Sequence, residues 1–417
     1  MTRDERQEIA RIKWIKNKCC GSLVQPTGAG KTVTALKCLK SVLSKYNNLK
    51  VLIVVPTDNL KIQWQLQLDQ WGLLFNSTVE IINTVIKHDW NVDILVLDEE
   101  HRYASSCFSE VFNKVKYRYI LGLTATLERL DGKHILIEKY CPVIDIITQQ
   151  EALSNNWIAP FTEYQVLLEV DDISYYKKLN HDFVSNLEFF GFDFQLAMKM
   201  VGPKGYLNRI KFRDFLYKGN NPTEKSNVLK NITIHAAGLM RALQARKAFI
   251  NNHPKKLEIT RKIIEAFSDR KIITFSNSIK MAESIGIGKV YTGKDNKKKS
   301  RISLDEFNSL DVGVINSSKK LIEGADIKGL SVAIMLGIDS SETRATQSRG
   351  RVIRFAPDKH ALIFNLIINN TAETEWMKNS HKNSNYITIT EQELDSVLKG
   401  NIPNQYTKKI NELTFRF

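Results

Sequence analysis

Residues 25–32 have the types and the spacing that bind a phosphate chain. They read Gln-Pro-Thr-Gly-Ala-Gly-Lys-Thr and stand between a short apolar run and a segment of helical periodicity. The two glycines allow a tight turn that directs backbone N–H groups at an anion, and the start of the helix adds a favourable dipole. Lys31 is placed to reach the β- and γ-phosphates, and the Thr32 hydroxyl is placed to ligate Mg²⁺. Because Gln25 stands where the usual pattern has glycine, the alternative is a chance glycine-rich turn.

A second group, residues 96–101, places carboxylates at the end of an apolar run. It reads Val-Leu-Asp-Glu-Glu-His. Carboxylates at the carboxyl end of a parallel strand face the crevice in which open α/β sheets bind ligands. Asp98 would hold Mg²⁺ directly or through water, and Glu99 would polarise the attacking water. The alternative is an acidic loop with a surface histidine, and the phosphate loop upstream argues against it.

A third group, residues 347–354, is rich in arginine and reads Gln-Ser-Arg-Gly-Arg-Val-Ile-Arg. Charge that develops on a γ-phosphoryl group needs cations beyond the phosphate-loop lysine, and arginines from a facing domain can supply them. We expect Arg351 and Arg354 to do so, with Gln347 near the γ-phosphate, and Gly350 to allow a close approach of the backbone. The alternative is a basic helix that faces solvent.

The elements that must position these groups follow an α/β rhythm. Short β-branched runs alternate with helix-period segments, which is typical of parallel sheets covered by helices on both faces. The predicted strands are residues 51–55, 93–97, 119–123, 271–275, 312–315, 332–336 and 361–364. We predict an α/β fold with two parallel-sheet domains, 1–150 and 255–370, around a helical and basic segment, 151–254, with a C-terminal helix and tail at 371–417.

The middle segment combines positive charge with aromatic residues. From position 195 to 230, eight lysines and arginines face two acidic residues, and four aromatic residues lie among them. Basic side chains for phosphates and aromatic faces for bases are the composition of a nucleic-acid surface or a strand-splitting wedge. The predicted contacts are Arg209, Lys211 and Arg213. The alternative is a helix with a solvated basic face and aromatic residues in the core.

Composition limits the function classes. Of 417 residues, 60 are lysine or arginine and 45 are acidic, and the net charge of +15 favours a polyanionic partner. That partner is nucleic acid rather than a membrane, because no apolar run approaches the roughly 18 residues that span a bilayer. Five cysteines without a C-x-x-C pair predict no zinc site, iron–sulfur cluster or disulfide framework. We expect a soluble protein of the cytoplasm (the host's, if the protein is viral), or of the nucleus in a eukaryote.

Together these segments resemble the motifs of superfamily 2 helicases of the DEAH-like branch, and in particular the XPB-type and phage UvsW-type DNA motors. Arg6 and Gln7 resemble the adenine-reading glutamine element, residues 26–32 motif I, residues 98–101 motif II and residues 347–354 motif VI. Residues 55–60 with Gln63 and Trp64 resemble motif Ia, 123–126 motif III, 273–276 motif IV, and 315–318 with 323–326 motif V. The resemblance spans residues 6–355 and implies two RecA-like motor domains in tandem.

The resemblance also implies roles for individual residues. Catalysis is implied for Lys31, Asp98, Glu99, Gln347, Arg351 and Arg354. Nucleotide contacts are implied for Gln7, Pro26, Thr27, Gly28, Ala29, Gly30, Lys31, Thr32 and Asp326, and Mg²⁺ ligation for Thr32 and Asp98. Contact with nucleic acid, or coupling to it, is implied for Pro56, Thr57, His101, Thr124, Thr126, Ser276 and Ser317.

The function that the resemblance implies is an ATP- and Mg²⁺-dependent DNA helicase or translocase with 3′→5′ polarity. It would unwind or branch-migrate forked and junction DNA in replication, recombination or repair. Nucleotide would favour a closed cleft, since the arginines meet phosphate only there, and phosphate release would reopen it. An RNA helicase and a duplex-DNA translocase subunit of a restriction or nuclease assembly stay open as alternatives.

Overall fold

The structure, a computed structural model, describes residues 1–105, 107–125, 132, 134–292, 297–318, 327, 329–338, 342–352, 359–381 and 385–400. For residues 297–301, 342–344, 347 and 351 it describes the backbone alone. The expected site residues Thr126, Asp326 and Arg354 lie outside the described residues.

Within the described residues, the first part of the chain forms a parallel sheet of six strands. In sheet order these are β3 (Ser77–Ile81), β2 (Val51–Val55), β5 (Ile94–Asp98), β7 (Tyr119–Thr124), β1 (Cys20–Val24) and β8 (Val143–Ile146). The helices of this part are α1 (Arg3–Lys16), α2 (Lys31–Leu43), α3 (Asp58–Gln70), α4 (Ile82–Val85), α5 (Val111–Lys114), α6 (His134–Tyr140) and α7 (Gln149–Ser154). The short strands β4 (Trp90–Asn91) and β6 (Val115–Lys116) form a separate parallel pair.

The second part forms another parallel sheet, with seven strands among the described residues. In sheet order these are β11 (Lys289–Tyr291), β12 (Gly313–Ser318), β10 (Lys271–Ser276), β13 (Val332–Met335), β14 (Ala361–Ile368), β9 (Phe161–Leu168) and β15 (Ile387–Thr390). Its helices are α12 (Pro254–Ala266), α13 (Ile279–Ser284), α14 (Lys297–Asn308), α15 (Glu342–Val352), α16 (Ala372–Ser380) and α17 (Glu391–Leu398). Short 3₁₀ helices cover Leu74–Asn76, Glu100–Ala104, Phe108–Glu110 and Pro203–Gly205.

Both sheets carry apolar cores on their two faces. In the first sheet, alternate residues of β2 point to opposite sides, so that Ile53 packs with Trp14 and Trp64 while Leu52 packs with Tyr103. In β2 and β5 every residue is buried, as expected for strands that helices cover on both faces. The second sheet separates two apolar clusters in the same way. The predicted fold class, two parallel-sheet domains of the α/β type, is confirmed.

Strand β9 is the main difference from the expected organisation. It lies in the segment expected to link the two sheets, yet it pairs with β14 along its whole length and with β15 on its other side. Its sequence gave no strand signal because Glu163 and Gln165 interrupt the apolar run, and both side chains are buried. The C-terminal segment likewise adds an edge strand, β15, and a second helix, α17, to the expected helix.

The helices of the middle segment leave the second sheet after β9 and return to it at α12. They are α8 (Ser174–Glu188), α9 (Phe194–Lys199), α10 (Tyr206–Leu216) and α11 (Pro222–Asn251), whose 30 residues span about 45 Å. An apolar cluster that includes Phe190, Met200 and Leu239 holds them together. Helix α8 is attached to the second domain, because the Ala372 N–H of α16 donates to the Tyr176 hydroxyl of α8 at 2.8 Å.

Candidate nucleotide-binding site

The loop between β1 and α2 has the geometry of a phosphate cradle. Gly28 and Gly30 take φ values of 93° and 99°, in the left-handed region that favours glycine. Helix α2 begins directly after Gly30, and no described side chain caps its first N–H groups. The Lys31 Nζ and Thr27 Oγ1 atoms are buried and have no hydrogen-bond partner among the described residues. Uncapped N–H groups and a buried ammonium without a hydrogen-bond partner fit a bound phosphate chain, because phosphate oxygens would accept from both.

The remaining expected contacts of this loop are placed around the cradle. Ala29 is buried, whereas Pro26 and Thr32 are half-buried, and Thr32 lies in the first turn of α2. Gln25, which replaces the usual glycine, is buried and accepts a hydrogen bond from the Thr34 hydroxyl at 3.3 Å. The glutamine at this position is therefore hydrogen-bonded to the first turn of α2.

Gln7 lies against the same loop. A Cβ atom added at Gly30 would lie 2.5 Å from Gln7 Nε2, and the Gln7 side chain is buried. The neighbouring Arg6 holds α1 in place, because its guanidinium donates to both Asp145 carboxylate oxygens, at 2.8 and 3.1 Å, and to Glu151 at 2.8 Å. The glutamine predicted to read the base is therefore fixed beside the phosphate cradle.

Asp98 and Glu99 lie at the carboxyl end of β5, facing the cradle. The Trp64 indole N–H of α3 donates to Asp98 Oδ2 at 2.9 Å, and the Glu99 backbone N–H donates to Oδ1 at 3.1 Å. Glu99 itself takes φ 53° and ψ 51°, a left-handed conformation that few non-glycine residues adopt. Its carboxylate lies 3.9 Å from Lys31 Nζ. Lysine, aspartate and glutamate thus converge on one crevice.

Burial changes the acidity of Asp98. Desolvation, with a smaller contribution from the Glu99 charge, raises the pKa of the Asp98 carboxyl to about 6. Two carboxylates held together in a buried crevice repel one another, and a divalent cation would relieve that repulsion. The donor set, an aspartate beside the first turn of a phosphate-loop helix, therefore fits Mg²⁺ held between protein and phosphate oxygens. Among the described residues, no group of three or more His, Cys, Asp or Glu side chains could hold a metal by itself.

The third acidic residue of this segment, Glu100, is fully buried. The Ser22 hydroxyl of β1 donates to Glu100 Oε2 at 2.6 Å, and burial raises the pKa of this carboxyl to about 8. Any side chain at Gly122 of β7 would overlap the Glu100 carboxyl group. Glu100 therefore ties β5 to β1 and β7 beneath the crevice, a role that sequence spacing alone could not reveal.

His101 connects the acidic segment to the end of β7. Its Nδ1 atom lies 3.0 Å from the Thr124 hydroxyl and 3.6 Å from Glu99 Oε2. Both His101 and Thr124 are buried. The two residues, each named separately among the expected nucleic-acid or coupling positions, are therefore in direct contact, and His101 also lies close to Glu99, the residue expected to activate water.

The two sheet domains meet at this crevice. A Cβ atom added at Gly350, in helix α15, would lie 2.5 Å from Thr27 Cγ2 and 2.9 Å from Thr27 Oγ1. The backbone of the arginine-rich helix thus rests directly on the phosphate loop of the other domain, as expected for the glycine of this motif. The backbone of Gln347 and Arg351 belongs to the same helix.

The expected nucleic-acid contacts of the two sheets differ in exposure. Pro56 and Thr57 are half-buried where β2 ends, and Thr57 caps α3 by accepting from the Leu60 N–H at 3.4 Å. Ser276 and Ser317 lie at the carboxyl ends of β10 and β12, and both are buried. Ser276 donates to the Ser278 carbonyl at 2.7 Å. In this structure the two serine side chains therefore lie inside the second domain and not on its surface.

The three cations predicted to bind nucleic acid from the middle segment have different surroundings on α10. Arg209 donates to the carbonyl oxygens of Met200 and Gly202, at 2.5 and 2.9 Å, and so fastens the preceding turn. Arg213 pairs with its neighbour Asp214 at 2.6 Å, and Lys211 is exposed. No residue of α10 is buried. The aromatic residues are therefore not all in the core: Tyr206 and Phe215 are 52% and 70% exposed.

Comparison with known proteins agrees with this geometry. Residues 2–93 and 82–129 match the family model "Type III restriction enzyme, res subunit", and residues 255–356 match "Helicase conserved C-terminal domain". The chain is 27% identical over 396 residues to DNA 3'-5' translocase XPB2 of Sulfurisphaera tokodaii, covering 89% of this chain and 82% of that protein. It is 21% identical to putative helicase 22 of a Sulfolobus islandicus filamentous virus, covering 88% of this chain and 63% of that protein.

A solved structure shares the fold. The helicase domain of Pyrococcus furiosus Hef superposes with a TM-score of 0.51 at 18% identity, covering 90% of this chain and 97% of that one. No helix among the described residues is both long and apolar enough to cross a bilayer.

The fold and the crevice define a nucleotide-hydrolysing motor with two parallel-sheet domains. More specifically, the chain belongs to the superfamily 2 helicases, which hydrolyse ATP and bind nucleic acid.

Proposed function

We propose that this helicase couples hydrolysis of Mg²⁺-bound ATP to 3′→5′ movement along DNA, and that it unwinds or branch-migrates forks and junctions as UvsW-type motors do. The observation that carries the proposal is the packing of Gly350 on Thr27. One nucleotide held on the phosphate loop would then touch both domains, so that its hydrolysis changes how they fit together.

The residues of the crevice would have separate roles in nucleotide binding and hydrolysis. The α2 N-terminus and Lys31 bind the phosphates, and Gln7 holds the base. Glu99 orients the attacking water and accepts its proton, while His101 and Thr124 connect this residue to the end of β7. Arg351 and Arg354 stabilise the charge that develops on the γ-phosphoryl group. Thr32 and Asp98 would hold Mg²⁺, which supplies charge neutralisation on the phosphates.

Three observations support DNA as the track. The relative from Sulfurisphaera tokodaii is a DNA 3'-5' translocase, and the alignment covers most of both chains. The net charge of +15 suits a phosphate backbone. The exposed aromatic rings on α10 offer stacking faces beside exposed lysines such as Lys211. We propose residues 1–150 as the first motor domain and residues 255–370, together with strands β9 and β15, as the second. Helices α8 to α11 would then be the accessory element that captures the substrate.

The test compares ATPase rates on single-stranded DNA, forked DNA, a four-way junction and an RNA duplex, followed by strand displacement on the substrates that stimulate. We expect the largest stimulation from DNA and displacement on forks that carry a 3′ tail. Greater stimulation by RNA would assign the protein to the RNA helicases. Displacement of a triplex strand without unwinding would instead favour the duplex-tracking alternative, which the match to a restriction-enzyme subunit model keeps open.

The acidity of Asp98 predicts a pH dependence of Mg²⁺–nucleotide binding. Because its pKa is raised to about 6, the carboxylate is ionised at pH 7 and protonated at pH 5, where a proton competes with the metal. Affinity for a Mg²⁺-bound fluorescent ATP analogue should fall about tenfold between pH 7 and pH 5. The Asp98→Asn variant corrects for titration of the nucleotide itself. An equal fall in that variant would show that Asp98 is not the group responsible.

A further inference from the structure

Arg349 belongs to the arginine-rich helix but does not face the nucleotide crevice. Its side chain is 3% exposed and lies in the second domain, where its Nε atom is 2.9 Å from Glu163 Oε2 on strand β9. The same carboxylate accepts from the Asn365 amide at 2.9 Å, and His381 Nε2 lies 3.0 Å from Oε1. We call these four residues, Glu163, Arg349, Asn365 and His381, the Glu163 cluster.

The cluster lies on a face of the second sheet that is mostly apolar, with Gln165 of β9 as a further buried polar residue. Odd-numbered residues of β9 and β14 point to the face on which Val352 of α15 and Met377 of α16 pack. All four polar residues of the cluster are at least 96% buried. Although burial alone would raise the pKa of Glu163, the Arg349 and His381 charges lower it to about 2, so the carboxylate is ionised. A buried ion pair of this kind adds little net stability, and in some proteins such pairs instead hold the elements that they join, here β9 and α15, in one arrangement.

The arrangement that it fixes is the position of α15. The residue after Arg349 is Gly350, whose backbone rests on Thr27 of the phosphate loop. The strand that carries Glu163 follows the connection between the domains, and the Trp157 carbonyl in that connection accepts from the Arg3 guanidinium of α1. A closed circuit of contacts therefore runs from the first domain through β9, Glu163 and Arg349 to α15, and back to the phosphate loop.

We propose that the Glu163–Arg349 pair positions helix α15 against the phosphate loop, so that Arg349 is a positioning residue for ATP hydrolysis rather than a nucleotide contact. This inference rests on the proposed shared nucleotide site. The pair sets the lateral position of the helix whose next residues are Gly350 and Arg351. Without it, the apolar contacts of Val352 would still hold the helix on the sheet, and we expect the position of the helix over the phosphate loop to shift.

The test uses Glu163→Gln, Arg349→Met and the double variant. Glu163→Gln leaves the buried Arg349 without its carboxylate, and Arg349→Met leaves Glu163 with His381 and Asn365 but without the guanidinium, so each single change lowers the melting temperature. The double change removes both members of the pair and should recover most of that loss. We expect the ATPase kcat to fall about 10- to 100-fold in all three variants, since a displacement near 1 Å is enough for such a loss. The KM for ATP should change less than about threefold, because the phosphate loop itself is intact.

The matched control is Glu373→Gln, which breaks the fully buried Lys256–Glu373 pair of the same domain, a pair that includes no residue of α15 and none of the Glu163 cluster. Its melting temperature should fall while kcat stays near the wild-type value. The proposal is overturned if kcat follows melting temperature across all four variants, or if the double variant regains wild-type kcat. A wild-type protein without nucleic-acid-stimulated hydrolysis would instead overturn the proposed function.

Discussion

Replacement of Lys31 by alanine should reduce the DNA-stimulated ATPase rate by about 10³-fold or more. The Lys31 ammonium is buried at the start of α2, has no hydrogen-bond partner among the described residues and lies 3.9 Å from the Glu99 carboxylate. A preorganised cation in a water-excluded crevice stabilises developing phosphate charge far more than a solvated one. Its removal also leaves the two carboxylates at the end of β5 without their counter-charge. The measurement is the steady-state rate of phosphate release at saturating DNA.

The control for this variant lies on the same helix. Lys40→Ala removes an exposed lysine of α2, nine positions further along, and should leave hydrolysis within about twofold of wild type. Hydrolysis by Lys31→Ala at a rate comparable with that of Lys40→Ala would show that the phosphate loop is not the catalytic site.

A single methyl group at Gly350 should have the second largest effect, a loss of about 10²-fold in kcat. The new Cβ atom would lie 2.5 Å from Thr27 Cγ2, so that α15 must move away from the phosphate loop and carry the backbone of Arg351 with it. Alanine favours a helix over glycine by about 0.5–1 kcal/mol, so the isolated second domain gains rather than loses local stability. Steady-state kinetics measures the loss in kcat, and a thermal melt of the same sample measures the change in stability.

For Gly350→Ala, we expect an unchanged or higher melting temperature together with the loss in kcat. Binding of a fluorescent ATP analogue should stay within about threefold of wild type, because most contacts with the nucleotide belong to the first domain. Full activity would mean that the two domains do not need this contact during hydrolysis, and the shared site would then have to be abandoned.

The sequence predicted the sheets best where strands are uniformly apolar. Strands β2, β5 and β7 consist mainly of Val, Ile and Leu, and short apolar runs of this length and composition are typical of strands covered on both faces. Strand β9 escaped detection because Glu163 and Gln165 occupy buried positions, and a buried carboxylate becomes acceptable only once Arg349 and His381 are known to lie beside it. A polar residue within a strand is predicted to be exposed from sequence alone, because the buried partner that would accommodate it is distant in the chain.

In the candidate site too, features formed by neighbouring residues could be predicted, whereas contacts between residues far apart in the sequence could not. The phosphate loop is a contiguous segment, so its turn and helix could be predicted from residue type. The hydrogen bond from the Trp64 indole to Asp98 and the packing of Gly350 on Thr27 join residues 34 and 323 positions apart, and only the folded chain brings them together. The roles assigned to the individual site residues stay predictions.

The most direct test is a structure of the protein with Mg²⁺ and a non-hydrolysable ATP analogue. The account predicts that the analogue lies between the two sheets, with Lys31 Nζ and a guanidinium of Arg351 or Arg354 both within about 3 Å of its γ-phosphate oxygens. A nucleotide held by the first domain alone, with both guanidiniums directed away from it, would contradict the central claim.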